Sequence, residues 1–151
     1  MLVDGPAWAL KTLLVAHAIA AGALLGSSTH LALILRRPGA QHSRLHRLYA
    51  TVALVCFSIV FAIGASIYPN YRVRVRAEWL DQHARWVAIL FDIKENFALL
   101  VAPLLVAQWL LTRREGDAQT ARLARVCAWI SAIVLWFNAI AGLIVTSYRS
   151  V

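Results

Sequence analysis

The chain alternates long apolar runs with short polar ones. Four runs stand out, at about 8–35, 48–68, 86–111 and 126–148. Roughly 20 helical residues cross the ~30 Å hydrocarbon core of a bilayer, so each run is long enough to span one. The pattern predicts an all-α, integral membrane four-helix bundle, a single transmembrane domain over 1–151. The first run has no charge between Lys11 and Arg36 and is stopped by Arg36-Arg37-Pro38-Gly39. Its start, MLVDGPAW, lacks a positive n-region, so the run reads as an uncleaved span. Pro69-Asn70 is expected to end the second run. Pro103 lies inside the third, where a kink is expected, since neighbouring groups in a membrane satisfy the freed carbonyl.

The third run is the one that carries charge. Asp92, Lys94, Glu95 and Asn96 stand just before its apolar part. Charges at the edge of a span are costly unless paired, hydrated or reaching the interface. The connection before it, YRVRVRAEWLDQHAR, is the one long charged linker. Arg72, Arg74 and Arg76 alternate with valines in a weak strand-like pattern, and helical periodicity resumes from Glu78. Asp81 and Arg85 form an i,i+4 pair. Glu78, Asp81, Arg85, Asp92 and Glu95 fall on one face of a continuous helix, while Lys94 points about 100° away and is expected to snorkel outward. A polar intramembrane cluster of Asp92, Lys94, Glu95, Asn96, Arg85 and Asn138 follows, with His17, Ser66 and Tyr68 converging on the same outer side. One reading is a proton relay or ion entry. The other is a structural network in which Asp92 and Glu95 pair with Arg85 or with arginines at 72–76.

Composition fits a membrane protein: 61% of residues are hydrophobic and the mean hydropathy is +0.67. The net charge of +8 comes from arginine, since Lys11 and Lys94 are the only lysines. Arg36, Arg37, Arg44, Arg47, Arg113 and Arg114 sit at run ends, where contact with lipid headgroups is expected. No solvated basic face suits nucleic acid. The loops after the first and third runs carry eight arginines and the opposite side six basic residues, so both termini are predicted outside a bacterial inner membrane. Cys56 and Cys127 lie at different depths and read as packing residues. The sequence contains no metalloprotease, nucleophile-elbow, phosphate-loop or dinucleotide motif, which argues against a soluble-type catalytic site.

His17 and His30 lie in the first run among small residues. Ala18, Gly22, Gly26 and His30 share one helical face. A haem b needs an axial histidine and small residues that leave room for the macrocycle, so His17 and His30 are candidate haem ligands. Against this, the second, third and fourth runs hold no histidine to complete a bis-histidine pair. The alternative is that Gly22 and Gly26 form a close helix–helix contact. His42 and His46 have zinc-like spacing but are surrounded by arginines. They are expected to be interfacial histidines among headgroups, and no metal site is expected.

The pattern YPNYRVRVR…LD…FDIKENFALL, followed by an AP-containing span and a final W…AG…Y span, resembles small four-span bacterial membrane proteins of unknown function, some encoded near cytochrome oxidase genes. The resemblance covers about 45–148. It implies an accessory or assembly role in a respiratory setting. The chain departs from it in having Asn96 after Lys94-Glu95 and no histidine in the later spans. The leading expectation is therefore a non-enzymatic accessory subunit or assembly factor of a larger membrane complex. The alternatives are a haem b electron carrier and a small transporter or proton-conducting oligomer using Asp92 and Glu95. Partners are expected to be lipids and other membrane subunits, or further copies of the chain.

Overall fold

The structure, a computed structural model, describes residues 7–37, 43–114 and 117–148. His42, the Pro38-Gly39 stop and Arg149 lie outside them. The described chain is all helix: α1 (Ala7–Ile34), α2 (Arg44–Asn70), a π-helical segment (Tyr71–Leu80), α3 (Asp81–His83), α4 (Arg85–Leu111) and α5 (Ala118–Tyr148). Three stretches, Trp8–Ile34, Arg44–His83 and Ala118–Tyr148, are long and apolar enough to cross a membrane.

The four long helices pack in a ring, with α2 and α5 each lying against both α1 and α4. Neighbours run antiparallel. The Trp136 indole donates to Thr29 Oγ1 across α5 and α1, and Arg125 Nε donates to the Leu35 carbonyl near the far end of the same pair. One end of the bundle carries two loops; the other carries the turn at Ala84. Small residues set the close approach at the two-loop end, where Ala50, Ala124, Ala128 and Ala132 pack with Leu31, Ala32 and Leu35. Leu24, Ala53, Val101, Leu105, Val134 and Leu135 fill the middle. Val75, Leu80, Ala84, Val87, Ala88, Phe91 and Val145 close the other end. Apolar side chains also cover the outside: Ile19, Leu99, Ile133 and Leu143 are all at least 60% exposed. That surface is suited to hydrocarbon.

The helix boundaries depart from the pattern in three places. First, Pro69 does not end α2. The chain continues helically to His83, changing after Asn70 to i→i+5 bonding, as the Asp81 N–H shows by reaching the Arg76 carbonyl. A proline inside a membrane helix removes one donor, and a local π adjustment re-satisfies the carbonyls it frees. The wider turn puts Val75 and Leu80, five apart, on one buried face. The strand-like alternation at 72–76 thus lies on helix. Second, Ala84 adopts φ −149° and ψ 61°, which breaks the rod before α4. Asp81 and Arg85 therefore sit on different helices, and the single charged stripe from Glu78 to Glu95 is split in two. Third, α2 and α5 begin earlier than 48 and 126. Ser43 Oγ accepts the His46 N–H at 3.1 Å and caps α2. Asp117 Oδ1 accepts the Thr120 N–H at 2.6 Å at the start of α5. Both are side-chain oxygens placed on helix-start donors that have no partner within the helix.

The Thr120 backbone N–H holds the Asp117 carboxyl below its ordinary value. A lowered carboxyl pKa adds stability that is fully present above the unfolded value, about 3.9, and is lost as pH falls through the folded one. Asp117→Ala should therefore melt below the parent chain at pH 7. Melting curves in detergent should show that gap closing only below about pH 4.

Candidate functional site

The polar groups gather where the end of α2 and the π segment meet the first turns of α4. Arg76 forks onto Asp92, with Nη1 at 2.6 Å from Oδ1 and Nη2 at 2.8 Å from Oδ2. Its Nε lies 3.9 Å from Asp81. One turn back along the rod, the Arg72 guanidinium donates to the Tyr68 hydroxyl, which in turn donates to Glu95 Oε2 at 3.3 Å. Two arginines four apart thus serve two carboxylates three apart. Asp92 is reached directly, and Glu95 through a phenol. Phe91 stacks beneath, 4.9 Å from the Tyr71 ring and 6.5 Å from Tyr68.

Lys94 does not snorkel outward. Its stem folds over Gly142 of α5, where Cε comes within 3.5 Å of the position a Cβ would take, and its ammonium lies 5.8 Å from the Phe91 ring centre. Among the described residues it has no carboxylate within ion-pair distance. The missing side chain of Gly142 is what makes the inward course possible. His17 of α1 sits across the bundle, its Cε1 3.4 Å from where a Cβ of Gly64 on α2 would stand. Lys94 is within electrostatic reach of that ring, which also meets the Val60 backbone, and His17 Nδ1 is buried. Asn138 of α5 donates to the Val134 carbonyl at 2.9 Å while its Oδ1 is buried and unpartnered.

The predicted cluster is therefore partly assembled. Asp92, Lys94 and Glu95 join Tyr68, Arg72, Arg76 and His17. Arg85 is exposed on the far side of the Ala84 break, so it pairs with neither Asp92 nor Asp81. Asn96 is exposed and bonds back to the Asp92 carbonyl, and Ser66 is exposed and bonded to Ala62 on its own helix.

The other histidines depart further from expectation. His30 is exposed. Its Nδ1 donates to the Gly26 carbonyl at 3.0 Å and its ring stacks on Tyr49 at 5.5 Å. Ala18, Gly22 and Gly26 share that exposed face, and nothing lies within 4 Å of a Cβ built on either glycine. The close glycine contact is therefore not made inside the bundle. His17 is packed against Gly64, and His30 faces out of the bundle. The described residues hold no group of three metal-ligating side chains.

His46 is not interfacial but fully buried, because α2 starts early enough to carry it into the bundle. Its Nε2 lies 3.5 Å from the side-chain nitrogen of Gln108, itself 1% exposed, and Gln108 Oε1 is buried without a donor. The amide orientation that turns Oε1 toward a protonated His46 Nε2 gives that oxygen its donor. Gln108 is the lone amide within the apolar part of its run, and that is the signal the sequence carries for it.

Comparison with known proteins finds no matching family model, no similar curated protein and no similar solved structure.

A double-mutant cycle on Arg76→Gln and Asp92→Asn, read by thermal or denaturant melting in detergent, should give a coupling of about 1 kcal/mol, because the pair is forked but half-exposed. The same cycle on Asp81→Asn and Arg85→Gln should give none. Gln108→Leu should cost about 1–2 kcal/mol by removing the partner of a buried ring nitrogen, and His46→Leu in that background should cost less than it does alone.

Proposed function

We propose that this chain is a four-span protein of the bacterial inner membrane, with both termini outside, that acts without catalysis as an accessory subunit or assembly factor of a larger membrane complex. The observation that carries this reading is that both carboxylates of the polar layer are already engaged by the neighbouring rod, Asp92 by Arg76 and Glu95 through Tyr68 by Arg72. Their role is to fix the fold. The outward faces, by contrast, are apolar on all four long helices. Such surfaces suit lipid and partner helices equally.

The fourth span is supported by how α4 disposes of its charge. Lys94 turns inward, Asp92 and Glu95 turn to arginine and tyrosine, and residues 97–111 are apolar apart from the buried Gln108. The arginine excess at the two-loop end supports that end being cytoplasmic. The resemblance noted above directs the search for a partner toward respiratory complexes. Gently solubilised membranes are expected to yield the chain in a particle larger than itself by native electrophoresis and mass spectrometry. Bulky replacements on the exposed α1 face, Gly22→Leu and Gly26→Leu, should release it without lowering its own melting point. Recovery of the unaltered chain only as a free monomer overturns the reading.

A second reading, ion or proton conduction, is favoured by one observation, the Lys94 ammonium held inside the bundle near His17 with no carboxylate at ion-pair distance among the described residues. Such a cation is a relay candidate by position. In proteoliposomes, Asp92→Asn, Glu95→Gln and Lys94→Gln should each abolish flux while leaving the helix content intact. Unchanged flux in all three removes this reading.

A further inference from the structure

At the two-loop end, a cavity of about 500 Å³ opens between α2 and α4, lined by Arg47, Thr51, Trp109, Thr112 and Arg113. We infer that this groove is a specific site for the phosphate of an anionic phospholipid headgroup. Arginine is the only charged type in the lining, Arg47 coming from α2 and Arg113 from the turn that follows α4. Among the described residues neither Arg47 nor Arg113 has a carboxylate within 4 Å. The Arg113 guanidinium lies 3.8 Å over the Trp109 ring. Stacking occupies the flat face of a guanidinium and leaves its in-plane N–H groups free to fork onto a phosphodiester.

The two threonines refine the chemistry. Thr51 donates its hydroxyl proton to the Arg47 carbonyl at 2.9 Å, and Thr112, almost fully buried, donates to the Trp109 carbonyl at 2.7 Å. With those protons engaged, the two hydroxyls of the lining are left to act as acceptors, which suits headgroup hydroxyls such as those of a glycerol ester. The source is a lipid and not free phosphate because of what lies deeper. One turn further into the bundle, Val55 on α2 and Val106 on α4 are exposed and apolar, in line to carry an acyl chain. The tryptophan marks the interfacial depth a headgroup occupies. The other arginines at this end are disposed differently. Arg36 stacks on Trp129 and Arg125 donates to the Leu35 carbonyl, while Arg37, Arg44, Arg114 and Arg122 do not line the groove. The site is thus narrower than a generally basic membrane face.

The test is native mass spectrometry and melting of the full chain in neutral detergent, with added phosphatidylglycerol, phosphatidylcholine or inorganic phosphate. One retained phosphatidylglycerol per chain is expected, with a raised melting point and no comparable effect of phosphatidylcholine. Arg47→Gln and Arg113→Gln should each weaken that retention about tenfold or more, as loss of a charge-assisted contact does, while Arg44→Gln leaves it unchanged. The variants' melting without lipid serves as the folding check. Equal retention of phosphatidylcholine, or an equal loss in Arg44→Gln, overturns the proposal. Stabilisation by inorganic phosphate matching that by the lipid overturns the assignment to a lipid.

Discussion

The contact between Arg76 and Asp92 decides how the two halves of this molecule meet. A forked guanidinium–carboxylate pair has a fixed plane and two bonds, so it sets the rotation of each helix as well as their separation. Here it joins the π segment to the first turns of α4. Once that register is set, Tyr68 falls opposite Glu95, Phe91 falls under Tyr71, and Lys94 is left facing α5 and α1. In an apolar surrounding, an unpaired carboxylate would be far more expensive than the pair. The alternatives to this register are correspondingly poor.

The π segment is what lets the pairing occur in two places. With more residues per turn than an α-helix, it gains less height per residue, so Arg72 and Arg76 remain opposite a short stretch of α4. Its cause is local. Pro69 cannot donate to the ladder, which leaves a carbonyl of the preceding turn to be satisfied in another way. A single proline thus leads to the geometry that neutralises both acidic groups of the neighbouring helix.

The helical architecture was legible because apolar run length is a strong signal, and the rough limits of all four long helices follow from it. The polar layer was half legible. Three charges beside an apolar run announced Asp92, Lys94 and Glu95, and the arginines at 72–76 were natural partners. What was not legible depended on backbone geometry that no side-chain pattern reports. The Ala84 break carried Arg85 out of the site. The continuation through Pro69 brought Arg72 and Arg76 into it. The inward course of Lys94 depended on Gly142, 48 positions along the chain. His46 was misplaced because helix onset is set by a cap, here Ser43, and a shift of one turn exchanges interface for interior.

Arg47 and Arg72 mark the two polar ends of one unbroken helical rod. Twenty-five residues separate them, and at 1.5 Å per residue for an α-helix this is about 38 Å, reduced slightly by the π turn. Between them the rod offers hydrocarbon-compatible surface somewhat longer than the ~30 Å thickness of a bilayer core. On the four-span reading the rod is its own gauge of membrane thickness. A thinner sheet strands apolar surface in water, and a thicker one drags guanidinium groups toward lipid tails. On the four-span reading proposed above, either mismatch would strain the same element whose far end holds α4 in register, and lipid composition would act through it on the polar layer.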